Sequence, residues 1–257
     1  MAGSKPPKDE RLGMRSSSAA AIHIFRNPCQ ACLDCDVRKK AICAALDDSE
    51  VGALEAIMTA TALEPNQALV YEGDPRRRVY SLTTGMLRLS TILPDGRRQI
   101  TGFLMPGDYL GLADDQTYSQ TAEAVSASNL CSFAVPQMDA LMERFPRLKD
   151  RLYVMTREAL RRARDNQIVL GRLAPVEKVA SFLLVMARRA AEIGRASDFV
   201  ELPMTRTDIA DYLGLTIETV SRSFTKLKNQ NLIQLPDPHR VMIVDRRSLE
   251  AVAGWSA

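Results

Sequence analysis

The sequence predicts an α+β protein in three parts: a small all-β domain, one long helix, and a helical C-terminal domain with a β-ribbon. Three observations carry this reading. Residues 63–136 break into short apolar runs divided by the turn formers Glu72-Gly73-Asp74-Pro75, Thr84-Gly85, Pro94-Asp95-Gly96 and Pro106-Gly107-Asp108, the pattern of an antiparallel sandwich or barrel. Residues 148–170 contain no glycine or proline and are dense in Arg, Leu, Ala and Glu, which favours a single uninterrupted helix. Residues 205–227 combine a helix start, a glycine stop and a second helix start, the outline of a helix-turn-helix.

The bulk properties set the frame. With 257 residues, 46% of them hydrophobic and 25% charged, the chain suits one large or two ordinary soluble domains. A net charge of +3 is compatible with a nucleic-acid partner but does not argue for one by itself. No apolar run approaches the roughly 20 residues of a membrane span, and the first residues carry Lys, Ser and Pro without an apolar signal core. The expectation is a cytoplasmic protein with no membrane partner.

Residues 1–26 are expected to be a disordered tail, because their Ser, Lys, Pro and Gly cannot bury enough apolar surface to fold. Residues 27–46 hold four of the five cysteines, Cys29, Cys32, Cys35 and Cys43, while Cys131 stands alone. Core packing scatters cysteines singly, so this clustering asks for a metal or a redox function, and a reducing cytosol disfavours structural disulfides. Val51, Leu54, Ile57 and Met58 fall at helical spacing and predict a helix over 49–62. Strands are predicted over 79–82, 86–93, 99–104 and 122–136.

In the long helix, Leu152, Met155 and Ala159 form one apolar line and Tyr153, Leu160, Ala163 and Leu170 a second. So broad an arc must be buried, preferably against a second copy in a coiled-coil-like dimer; packing on its own domain is the alternative. Arg157, Arg161, Arg162 and Arg164 are expected on its solvated side. Pro175 begins another helix, over 176–193 and ended by Gly194, followed by a strand over 198–202.

Thr205 and Asp208 then form a helix start, and Ile209, Ala210 and Leu213 lead to Gly214. Leu215 is an apolar plug in the turn and Thr216 caps the second helix. Val220, Phe224 and Leu227 face inward at three- and four-residue spacing, which gathers Glu218, Ser221 and Arg222 on the opposite side. That is where a recognition helix meets base edges in the major groove of double-stranded DNA. Arg222 suits guanine O6 and N7, Glu218 a cytosine amino group, and Ser221 a base or phosphate. Lys226 and Lys228 suit the phosphate backbone. Residues 232–235 and 240–244 flank Pro236-Asp237-Pro238-His239 as a two-stranded wing, with His239 a surface residue at its tip. A helical hairpin with a merely solvated charged face is the blander alternative.

With these residues in view, the chain resembles the CRP/FNR superfamily of bacterial transcription regulators. The resemblance rests on the Gly73-Asp74 and Pro106-Gly107-Asp108 turns, on Gln99-Ile100-Thr101-Gly102-Phe103, and on the run from Met204-Thr205-Arg206 to Thr219-Val220-Ser221-Arg222. It implies a β-roll over 47–145 (a cyclic-nucleotide-binding-like jelly roll), a dimerisation helix over 146–172 and a winged helix-turn-helix over 173–257. It also implies a homodimer, contact with RNA polymerase, and reading of TTGAT-type inverted repeats by the Glu218, Ser221 and Arg222 trio. Cyclic-nucleotide sensors of the superfamily carry a Gly-Glu pair and a later Arg-Ser. Here Gly111-Leu112 and Tyr118-Ser119-Gln120-Thr121 stand instead, so no cyclic nucleotide is expected.

The FNR-type oxygen sensors hold a [4Fe–4S] cluster with three N-terminal cysteines and one from the roll. The resemblance carries those roles to Cys32, Cys35, Cys43 and Cys131, with Cys29 as a possible substitute. A four-cysteine zinc site is the structural alternative, and a thiol redox switch is a third reading. No thioredoxin-like βαβ context surrounds either Cys-x-x-Cys pair, so an enzyme is not expected. The expected function is a DNA-binding transcription regulator controlled by an oxygen-labile cluster.

Overall fold

The computed structural model describes residue 32 and residues 35–111, 114–194 and 199–254. The predicted tail and Cys29 lie outside these residues. Eight strands form the β-domain: β1 (Met58–Leu63), β2 (Ala68–Val70), β3 (Arg78–Thr84), β4 (Leu87–Ile92), β5 (Arg98–Leu104), β6 (Tyr109–Leu110), β7 (Thr121–Ala124) and β8 (Ser128–Ala134). They pair as two four-stranded antiparallel sheets, β1-β8-β3-β6 and β2-β7-β4-β5.

Strand alternation decides what each face sees. Tyr80, Leu82 and Leu130 enter a core with Leu63, Leu87, Ala122 and Ala124. Val79, Cys131 and Phe133, one step out of phase, join a second cluster with Ile42, Leu54, Met138 and Leu148. The segment before the roll therefore lies on the same sheet face as Cys131.

The helix expected over 49–62 is cut short. Helix α1 spans Val51–Ala56, and Met58 opens β1, whose register with β8 runs from Met58↔Phe133 to Leu63↔Ser128. Six residues of cross-strand pairing outweigh a helical spacing that only Val51 and Leu54 sustain. Residues 135–136 belong not to a strand but to a second helix, α2 (Val135–Arg144), with Pro136 in its first turn, where its missing N–H costs nothing.

The long helix α3 spans Pro146–Arg172. It buries Leu148, Met155 and Val169, while Tyr153 and Leu160 keep 65% and 51% of their surface exposed. Arg162 departs from the solvated row: it turns toward Asp108 at 3.8 Å, which also pairs with Arg189. Arg161 pairs with Asp165 one turn on, at 3.0 Å.

The C-terminal domain comprises α4 (Pro175–Glu192), β9 (Phe199–Glu201), α5 (Arg206–Leu213), α6 (Ile217–Asn229), β10 (Ile233–Asp237), β11 (Arg240–Ile243) and α7 (Arg246–Ala253). Val179, Leu183, Leu202, Ile209, Val220, Phe224 and Leu227 form its core. The wing has three strands, ordered β10-β11-β9, because the strand before the helix-turn-helix adds to its edge. Helix α7 adds to the elements expected from sequence; the Asp245 side chain caps it by accepting from Ser248 N at 3.0 Å.

The C-terminal domain docks on the roll through charge and aromatic contacts. Arg98 of β5 donates to Asp208 at 2.7 Å and to Asp211 at 2.8 Å, and Arg88 approaches Asp208 at 3.6 Å. Phe103, Phe182 and Tyr212 pack as a tilted trio with centroids 5.4 to 6.3 Å apart. Asp208 is 2% exposed, and Asp208→Ala removes a carboxylate shared by Arg98, Arg88 and the α5 cap while Asp211 and Glu123 remain beside the two guanidinium groups; it is expected to cost about 1–3 kcal/mol. Denaturant unfolding checks this as a lower midpoint at unchanged slope.

Candidate nucleic-acid interface and cysteine site

The helix-turn-helix is built from local hydrogen bonding. Asp208 N donates to the Thr205 hydroxyl at 3.1 Å and Thr205 N donates back to the Asp208 carboxylate at 3.0 Å, a reciprocal cap on α5. Gly214 ends that helix at φ +62, a conformation glycine adopts without steric cost. Thr216 caps α6 by accepting from Thr219 N at 3.2 Å.

Val220, Phe224 and Leu227 are buried, while Thr216, Glu218, Ser221, Arg222 and Lys226 are all exposed. The Glu218 carboxyl is held below its ordinary range by its own backbone N–H, by the Thr216 hydroxyl and by nearby Arg222, so it is an ionised acceptor at neutral pH. His239 sits at the wing tip with Nδ1 3.1 Å from Leu202 O. Arg206, named from sequence only within the run that carries the resemblance, has its guanidinium 3.4 Å from the Phe224 ring centroid.

The second site lies on the outer face of the β1-β8-β3-β6 sheet. Buried Val37, Ala41, Ile42 and Leu46 fasten residues 35–46 against that face, partly as a 3-10 turn over Ile42–Ala45. Cys35 and Cys43 from this segment, Cys32 ahead of it and Cys131 from β8 line one small cavity of about 20 Å³. Its other walls are mostly apolar, including Ile42, Leu54, Met58 and Phe133, with the hydroxyl residues Ser81 and Thr83. All four cysteines are thiols and not disulfides. Ser81 and Thr83 escaped sequence reasoning, although their two-residue spacing from Val79 could have put them on this face.

Burial, then the neighbouring Cys35 and Cys32, push the Cys43 thiol from an ordinary 9.0 up to about 11. A pKa raised on folding favours the protonated thiol, so its contribution to stability is present below pH 9 and is lost as pH rises toward 11. Metal-free protein is expected to weaken over that window, and Cys43→Ser to flatten the profile; denaturation at stepped pH checks it.

Among the described residues no three His, Cys, Asp or Glu side chains stand together as a ligand set for a single ion. The four thiols instead border a space, closed on one side by residues 35–46 and on the other by the sheet. Soft sulfur donors in an apolar wall suit a thiophilic metal group.

This segment also touches the rest of the molecule. Arg151 of α3 donates to the Lys40 and Ala41 carbonyls. Lys40 Nζ pairs with Glu192 of α4 at 2.9 Å. A Cβ on Gly107 would come within 3.0 Å of Lys40 Cβ, so the 37–41 turn and the 105–108 turn are in close contact.

A β-roll joined by a long helix to a winged helix-turn-helix defines a DNA-binding transcription regulator and not an enzyme. Residues 60–145 match the cyclic nucleotide-binding domain family and residues 177–252 the Crp-like helix-turn-helix domain. The chain belongs to the CRP/FNR family of transcription regulators. It is 41% identical to the nitrogen fixation regulation protein FixK of Bradyrhizobium diazoefficiens, across 82% of this chain and 92% of that one. It is 37% identical to the transcriptional activator protein FnrL of Cereibacter sphaeroides, across 87% and 92%. The solved structure of FixK2 from Bradyrhizobium japonicum superposes with a TM-score of 0.73 at 33% identity, covering 78% of this chain and 100% of that one.

Proposed function

We propose that this chain is a transcription activator whose hold on DNA depends on a [4Fe–4S] cluster bound by Cys32, Cys35, Cys43 and Cys131. In this reading it acts as a homodimer at TTGAT-type inverted repeats when oxygen is low. The observation that carries the proposal is the meeting of four thiols from two separate elements at one cavity. A cubane takes one thiolate at each of four irons and, in the FNR-type sensors this chain resembles, supplies an oxygen-labile centre.

The chain's own residues do the rest. Val37, Ile42 and Leu46 hold the cysteine segment on the roll, and Arg151 and Lys40 tie it to α3 and α4. Gathering the four thiolates fixes that segment and keeps both ties in register. Releasing them frees it and shifts the population toward a form that grips DNA poorly. Exposed Tyr153, Leu160 and Ile168 on α3 give a second copy an apolar stripe to cover. Pairing brings two α6 helices to successive major grooves, where Glu218, Ser221 and Arg222 read bases and Lys226 meets phosphate. The names of relatives such as FnrL support activation, which involves contact with RNA polymerase.

A cyclic nucleotide is not part of this reading. Tyr118, within the stretch where cyclic-nucleotide sensors carry Arg-Ser, is buried in the roll core with Tyr80 and donates to Arg78 O at 2.6 Å. A cyclic phosphate at Tyr118 would meet a neutral hydroxyl already engaged, without the charge-assisted partner it needs.

Anaerobic purification followed by an absorption spectrum and iron and sulfide analysis tests the proposal. A brown protein that bleaches in air, with iron and sulfide in equal amounts, is expected. Colourless protein with stoichiometric zinc overturns the cluster while leaving the DNA-binding regulator intact.

A further inference from the structure

Among the described residues, two buried side-chain polar atoms have no hydrogen-bond partner, Ser81 Oγ and Arg206 Nη1. Ser81 belongs to the wall of the thiol cavity. It is 4% exposed and lies directly opposite Cys131 in the β3–β8 register.

A buried hydroxyl without a partner opposes folding by about 1–3 kcal/mol. Nothing in the sheet asks for one here. Val79, two residues earlier on the same face, packs as an apolar residue, and alanine or valine would continue that pattern. The neighbouring hydroxyls are all engaged: Thr83 Oγ1 donates to Asn129 O at 2.8 Å, Ser128 Oγ donates to Ser126 O at 2.7 Å, and Ser132 Oγ accepts from Arg78. Ser81 alone among these lines the cavity with an uncommitted donor, and the cysteine thiols line the same cavity.

We infer that the Ser81 hydroxyl donates a hydrogen bond to a sulfur of the metal–sulfur group held by Cys32, Cys35, Cys43 and Cys131. The inference rests on the cluster reading above and adds a positioning residue to it. A donor aimed at sulfur stabilises negative charge there, and hydrogen bonds to the sulfurs are among the protein's controls on such centres. Ser81 thereby favours the more reduced, electron-rich state and slows attack by oxidant.

The test uses wild type, Ser81→Ala and Ser81→Thr, each full length and compared metal-free and after anaerobic loading with iron and sulfide. Metal-free Ser81→Ala is expected to be as stable as wild type or more so, because it removes an unsatisfied donor. Loaded Ser81→Ala is expected to retain its iron but bleach about threefold to tenfold faster at a fixed dioxygen concentration. Ser81→Thr, which keeps the hydroxyl, is expected to bleach close to the wild-type rate.

Equal bleaching of wild type and Ser81→Ala overturns the inference and leaves the cluster reading standing. A clear loss of stability in metal-free Ser81→Ala also overturns it, because the hydroxyl would then have a partner in the protein. A wild type that takes up no iron and sulfide overturns both, and is recognised by failing before any variant is compared.

Discussion

Cys131→Ser is expected to give a folded protein that holds no iron and no longer distinguishes its operator from other DNA. Cys131 sits mid-strand in β8, paired with Ala60 on one side and Ser81 on the other, and serine is nearly isosteric, so the sheet persists. In the proposed site the substitution removes the thiolate that would link the 35–46 segment to the roll, and a hydroxyl is a poor ligand for a thiophilic iron centre. Iron analysis and the visible spectrum report the change directly. Binding to a TTGAT palindrome should fall toward the non-specific level, about a thousandfold or more below specific binding. Cys29→Ser should keep both iron and operator binding. Full iron content in Cys131→Ser would remove Cys131 from the ligand set and with it the link between segment and roll.

Arg222→Ala should weaken operator binding by about 1–3 kcal/mol for each half-site, roughly fivefold to 150-fold per half-site. The effect should be confined to sequences carrying the guanine of the TTGAT half-site, with non-specific affinity and fold unchanged. The salt dependence of binding separates this role from that of Lys226. Lys226→Ala should weaken all sequences alike and lower the salt slope by about one counterion for each phosphate that Lys226 neutralises. Equal weakening of cognate and scrambled DNA by Arg222→Ala would make Arg222 a backbone-binding residue instead.

The helix-turn-helix was legible because every device in it is local. Thr205 and Asp208 lie three residues apart and close a cap on each other, Gly214 carries its own turn, and Val220, Phe224 and Leu227 follow helical spacing. The short strands were legible from their turns. The end of α1 was not, since Met58 becomes a strand residue only through partners in β8, some seventy positions away. Helix α2 lies between prolines 136 and 146 that read as punctuation, although the first of them sits comfortably in a first turn.

Four of the five cysteines were legible as a group from spacing alone. Family resemblance drew Cys131 to them, and the fold brings it into the cavity with Cys32, Cys35 and Cys43 through strand parity. Ser81 could not be singled out beforehand, because a serine in a strand is unremarkable until its neighbours are known to leave it without a partner. The pairing of Arg98 with Asp208 and Asp211 was equally hidden, joining residues more than a hundred positions apart.

The stripe on α3 that leaves Tyr153 and Leu160 in water carries a consequence of mass action. In the proposed dimer, the amount of paired chain grows with the square of the free-chain concentration while most of the protein is unpaired. Doubling synthesis would then raise the DNA-competent form nearly fourfold under an unchanged oxygen supply. The rate at which the cell makes this chain would act as a second input, setting how much oxygen is needed to silence its promoters.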